Sequence, residues 1–164
     1  MRIVVLSDTH QSHLTNDFVR MTESLLGNCD MIVHAGDFTS AEIYYYLKDV
    51  VPGGIVAVHG NMDPPELTKL LPHKKVFEVE GIKIGVMHGW GAPYDLEEKL
   101  GREFASDVVD CIVYGHSHNP VNHKRGSVLF FNPGSPTDRH YAKQNTVGYL
   151  TVQHTTITGQ ISRI

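Results

Sequence analysis

The chain has 164 residues, 41% hydrophobic and 20% charged, with a formal net charge of −4 and an isoelectric point near 6.2. A chain of this size buries about 70% of its unfolded surface and is expected to form one domain, here residues 1–164. The acidic balance excludes the basic face that tight nonspecific nucleic-acid binding needs, though not a small phosphate ester as ligand, and no apolar run approaches the ~20 residues of a membrane helix.

The N-terminus enters at once a strand-like run, RIVVLS (2–7), whose unbroken β-branched character suits a strand covered on both faces. That start, reaching Ser7-Asp8 so soon, is not the pattern expected of a leader peptide. Phe18, Val19, Met21, Leu25 and Leu26 then give residues 15–26 a helical apolar stripe that stops at Gly27-Asn28. MIVHAG (31–36) is a second buried strand. Ser40 is the expected N-cap of a helix through Ile43, Tyr44 and Leu47, and IVAVHG (55–60) is a third strand. Strand–helix–strand–helix–strand order predicts a parallel sheet. Residues 75–89 predict two strands turning at Glu80-Gly81, residues 94–104 a helix, and CIVYG (111–115) another buried strand. Two hairpins follow, with turns expected at Arg125-Gly126 and Thr158-Gly159. The fold class is therefore α/β, with two sheets facing each other and helices outside. Cys29 and Cys111 each open an apolar run, which suits buried free thiols and a cytoplasmic location.

Five of the apolar runs end in residue types that bind metals. Asp8 and His10 follow the first, Asp37 the second, Asn61 and Asp63 the third, His88 the run IKIGVM, and His116 and His118 the run CIVYG. In open α/β sheets, ligands collect outside the carboxyl ends of strands, so these residues are expected on one rim. Gly36, Gly60 and Gly115 stand directly before candidate ligands, leaving room for sharp turns. The spacing of Asp8 and His10, and of His116 and His118, places each pair on one side of an extended segment. Taken singly, each residue has a plainer reading: an Asx-turn or cap for Asp8, turn chemistry for Asp37 and Asn61, a buried histidine for His88, a polar loop for His116 and His118. Seven ligands exceed what one ion uses, so two ions are expected, bridged best by Asp37. Carboxylate, carboxamide and imidazole donors without cysteine suit Mn, Fe, Zn, Co or Ni better than Mg or Ca.

DTH (8–10), GD (36–37), GNMD (60–63), His88 in MHG and GHSH (115–118) resemble, in order, the motifs of the calcineurin-like metallophosphoesterase superfamily. Small size, GNMD and NPGS (132–135) are most similar to its small bacterial and archaeal phosphodiesterase branch, to which the retromer small subunit is related. The resemblance implies a four-layer αββα sandwich of two mixed sheets with helices on the outer faces. It implies one divalent transition-metal ion, Mn foremost, on Asp8, His10, Asp37 and His118, and a second on Asp37, Asn61, His88 and His116. A metal-bridging hydroxide would then attack phosphorus, so that Asp37 and Asn61 act in catalysis, with Asp63 orienting the site. Many members carry histidine where this chain has Met62, which donates no proton. His59 is the candidate to contact the phosphate or supply that proton, beside Asn61 as a second substrate-binding residue.

The remaining histidines have plainer expectations: His34 in the core, His13 near the first motif, and His73, His123, His140 and His154 on the surface. Asn132 and Ser135 are candidates to line the site. The expected activity is phosphodiester hydrolysis on a small molecule, with a homo-oligomer left open. The alternatives are a phosphomonoesterase and a non-catalytic protein-binding scaffold on the same fold.

Overall fold

The computed structural model describes residues 1–138 and 140–164. Its strands are β1 (Arg2–Leu6), β2 (Met31–His34), β3 (Ile55–Ala57), β4 (Lys74–Val79), β5 (Ile82–Met87), β6 (Cys111–Val113), β7 (Val121–Arg125), β8 (Val128–Asn132), β9 (Thr146–Gln153) and β10 (Thr156–Arg163). Its helices are α1 (Asn16–Leu26), α2 (Ala41–Asp49), α3 (Pro65–Leu70) and α4 (Leu96–Glu103), the last led in by a 3-10 turn at Pro93–Asp95.

Two five-stranded mixed sheets result, ordered β10-β9-β1-β2-β3 and β4-β5-β6-β8-β7. In the first, β1, β2 and β3 run parallel, and β9 joins β1 antiparallel. Side chains alternate across a strand, and here both faces are buried. Ile3 and Val5 of β1 face inward against Ile84, Val86, Val113 and Phe131 of the second sheet. Val4 and Leu6 face outward beneath Phe18 of α1, Ile43 and Leu47 of α2, and Leu67 of α3. On the far side, Leu96 and Leu100 of α4 cover Met87, Ile112 and Phe130. Helix, sheet, sheet, helix is the expected four-layer order. No helix of the described residues is long and apolar enough to cross a membrane.

Local chemistry explains most boundaries. Thr15 caps α1 by accepting the Phe18 N–H, and Ser40 caps α2 by accepting that of Glu42. Two expectations need correction. The last hairpin turns at His154-Thr155, both at positive φ, and not at Thr158-Gly159. Gly159 lies inside β10, where a Cβ would meet Phe131 Cε2 at 2.6 Å; the glycine serves packing, not turning. Finally, β2, β3 and β6 stop two or three residues before the apolar runs do. The chain there leaves the sheet to build the rim.

Candidate metal centre

The loops after β1, β2, β3, β5 and β6 converge, and backbone hydrogen bonds tie them together. Asp8 N–H donates to Gly36 O at 3.0 Å, His10 N–H to Asp37 O at 3.1 Å, and Gly115 N–H to His88 O at 3.1 Å. The segments are not extended, as the paired spacing suggested. Asp8, His10, Asp37, His116 and His118 all have positive φ, between 42° and 67°. Left-handed backbone is uncommon outside glycine, and its clustering marks a site whose geometry the surrounding fold imposes.

Two carboxylate oxygens face a set of imidazole nitrogens. Asp8 Oδ1 lies 3.4 Å from His118 Nε2, 3.9 Å from His88 Nε2 and 4.0 Å from His10 Nε2. Asp37 Oδ2 lies 3.2 Å from His88 Nε2 and 3.7 Å from His10 Nε2. Among the described residues, Asp8, His10 and His118 form one group with metal-binding proximity, and Asp8, Asp37 and His88 another. Asn61 Oδ1 and His116 Nδ1 are 3.2 Å apart beside them, and the His88 and His116 rings cross at 5.3 Å. All seven candidate ligands are therefore neighbours, with Asp8 as central as Asp37.

His88 tests whether cations belong here. Its Nδ1 sits 2.7 Å from Ala35 O, so Nδ1 carries the proton and Nε2 presents a lone pair. That Nε2 is buried without a hydrogen-bond partner and faces two carboxylates. Lone pairs converging on lone pairs require a proton or a cation between them. The titration tendencies agree. Burial pulls His88 down, but contact with Asp37 and the charge of Asp8 outweigh it and raise its pKa. Burial likewise lowers His118, yet its bonds to Asp8 and Asp138 push it up to about 9. The donor set fits divalent metal.

Other side chains shape the loops. Asp63 accepts the N–H groups of Asp37 at 3.0 Å, Thr39 at 3.0 Å and Gly60 at 2.8 Å, so its carboxylate holds backbone. Asn132 bonds Gly115 O and Ser117 Oγ, and Ser135 Oγ donates to Asp8 O; both brace the rim from behind. His34 is in the core as expected, stacked on Phe38 at 3.5 Å and kept neutral chiefly by burial. His123 is exposed but engaged, with Nε2 3.0 Å from Glu97. His59 leans away, its ring 5.4 Å from His73. A cavity of about 540 Å³ opens over the cluster, walled by Met62, Pro93, His140 and Tyr141 besides the ligands. His140, expected as a bland surface residue, and Asp138 both belong to this wall. No spacing in the sequence marks either; they lie in a polar loop beyond NPGS.

The profile of the calcineurin-like phosphoesterase superfamily domain matches residues 1–155. The chain belongs to that superfamily. A probable metallophosphoesterase from Methanocaldococcus jannaschii is 38% identical over 142 residues, covering 84% of this chain and 69% of the relative. Among solved structures, an archaeal phosphodiesterase superposes with a TM-score of 0.77 at 23% identity, over 99% of this chain and all of that one. Vps29 from Entamoeba histolytica, solved in complex with zinc, gives a TM-score of 0.75 at 21% identity, over 100% of this chain and 98% of that one. The superfamily match and the sequence relative support a phosphoesterase that works with divalent metal ions, and the solved structures match the expected fold.

Proposed function

We propose that this phosphoesterase is a two-metal phosphodiesterase acting on a small organic diester. The observation that carries the reading is the convergence of the unpartnered, buried His88 Nε2 with Asp8 Oδ1 and Asp37 Oδ2, next to an open cavity that Asp37, His10 and His118 line. Asp8, His10, Asp37 and His118 would hold one divalent ion, and Asp37, Asn61, His88 and His116 the other, with Mn the first choice. Such a pair neutralises phosphoryl charge and lowers the pKa of water toward neutrality.

The protein's own groups supply the rest. Asp37 is fixed for two-sided use, since Oδ1 accepts the Met62 N–H at 2.7 Å and leaves Oδ2 to face the histidines. Asp63 sets the Asp37 and Gly60 backbones and is a positioning residue, away from the reacting atoms. Asn61 turns its carboxamide oxygen to His116, leaving its amide N–H to donate to a phosphoryl oxygen. Water oxygen attacks phosphorus, the ester P–O bond breaks, and the leaving oxygen takes a proton. Met62 has none to give. His140, on the cavity wall, is better placed for that transfer than His59. Met62, Pro93 and Tyr141 offer an apolar wall to the organic half of a diester.

Bis(p-nitrophenyl) phosphate tests the proposal. With Mn²⁺ the protein should hydrolyse it faster than p-nitrophenyl phosphate, EDTA should stop the reaction, and Asp37→Ala should lower kcat by at least ~10³-fold. A scaffold is the second reading, favoured by the exposed aromatic side chains of Trp90 and Tyr94 and by the likeness to Vps29. Hydrolysis absent with Mn, Co, Ni, Fe and Zn alike would decide for it.

A further inference from the structure

Each candidate histidine ligand has a second ring nitrogen, and what that nitrogen touches differs among them. His88 Nδ1 is 2.7 Å from the Ala35 carbonyl, and His116 Nε2 is 2.9 Å from the Gly91 carbonyl. Both acceptors are neutral. His118 Nδ1 is instead 2.5 Å from Asp138 Oδ2. Among the described residues it alone of the four has its second nitrogen on a carboxylate.

Asp138 is built to hold that pose. Its side chain is 6% exposed. Oδ2 accepts the N–H groups of Tyr141 at 3.0 Å and Ala142 at 2.8 Å, and Oδ1 that of His140 at 2.7 Å. Asn145 Nδ2 donates to the Asp138 carbonyl at 2.7 Å. The loop thus fixes the carboxylate, and the carboxylate fixes the imidazole. With Nδ1 donating, Nε2 is the coordinating nitrogen, aimed at Asp8 Oδ1 at 3.4 Å and His10 Nε2 at 3.2 Å. A negative acceptor withdraws the Nδ1 proton more strongly than a carbonyl does, which makes Nε2 the more basic donor.

We infer that Asp138 is a positioning residue that makes the two metal positions unequal, so that the ion on Asp8, His10 and His118 is held the more tightly and loads first. This rests on the metal reading given above. Its asymmetry comes from what stands behind the histidines, and the ligand types alone would not produce it.

The experiment is Mn²⁺ titration of the purified full chain, following free Mn²⁺ by electron paramagnetic resonance and binding heat by calorimetry. Wild-type protein should bind in two distinguishable steps. Asp138→Ala should weaken the tighter step about 10- to 100-fold and leave the weaker one within about twofold. Asp138→Asn keeps a carbonyl for the loop amides but no charge, and should fall between the two. Raising Mn²⁺ should restore most of kcat in Asp138→Ala, which a disordered loop would not allow. Asn145→Ala loosens the same loop without touching His118, and should keep the tighter step. The inference is overturned if Asp138→Ala leaves both steps unchanged or weakens both equally, or if Asn145→Ala reproduces its effect. Wild-type protein that binds no Mn²⁺ overturns the metal reading, and this inference with it.

Discussion

Gly60→Ala is the sharpest probe of how the rim holds its chemistry. A Cβ at position 60 would lie 2.2 Å from Asp37 Oδ1 and 2.7 Å from the Asp37 nitrogen. Both fall well inside ordinary contact, so the Asp37 carboxylate must retreat by roughly 1 Å. It has nowhere to go cheaply, since the same oxygen accepts the Met62 N–H at 2.7 Å and the other faces His88 at 3.2 Å. A 1 Å misplacement in a reacting constellation costs on the order of 10²-fold in rate. Overpacking by one methyl costs roughly 1–3 kcal/mol, within the 5–15 kcal/mol of a typical domain, so the protein should remain folded. The assay is kcat on bis(p-nitrophenyl) phosphate at saturating Mn²⁺, with a thermal melt on the same sample. Gly27→Ala is the control: nothing lies within 4 Å of its Cβ and its φ is −55°. It should keep kcat and gain about 0.4–1 kcal/mol in stability. Wild-type kcat and Mn²⁺ affinity in Gly60→Ala would refute the claim that Asp37's placement limits the reaction.

Asp63→Ala strands three backbone N–H groups and should cost about 3 kcal/mol, a drop in Tm of roughly 6–12 °C by differential scanning calorimetry; an unchanged Tm would mean that water replaces the carboxylate fully. Burial pushes the Cys111 thiol far up, so iodoacetamide should modify it only in denaturant, whereas half-buried Cys29 should react slowly in the native protein. His34 is buried and its pKa is lowered by that burial, so in the folded state it stays neutral as the pH falls. Unfolded, it protonates near pH 6.5, so the unfolded state binds the extra proton and stability is lost as pH drops below that value. Ring NMR of His34 should show no titration around pH 6.5 in the folded protein, and a midpoint there would contradict its burial.

The layers were legible because β1 alternates two buried faces: Ile3 and Val5 point one way, Val4 and Leu6 the other, and an unbroken apolar run is what such a strand requires. The Ser40 cap and the Glu80-Gly81 turn follow from local chemistry and were equally readable. Local rules misled where tertiary packing set the residue. Gly159 looks like a turn but makes room for the Phe131 ring, and His154-Thr155 turn without a glycine. Motif order gathered the seven candidate ligands, but their conformation was not readable, since even spacing implies an extended strand and the chain instead takes left-handed φ. Asp138 and His140 were invisible for a different reason. Their relation to His118 and the cavity depends on how the loop after β8 folds back, and no periodicity encodes that.

The left-handed residues have a consequence for how this fold can change over generations. Five of the seven candidate ligands occupy backbone that costs a non-glycine residue about 1 kcal/mol or more. Replacing His10 or His116 with glycine relieves that cost and removes a donor in the same step, whereas Asp8 and Asp37 also accept the backbone N–H groups of His116 and Met62. Where hydrolysis is not required, such a histidine-to-glycine replacement would favour folding and keep both sheets while the rim loses a ligand. On this architecture, becoming a durable platform is a downhill path from being an enzyme, and the return requires strain to be put back residue by residue.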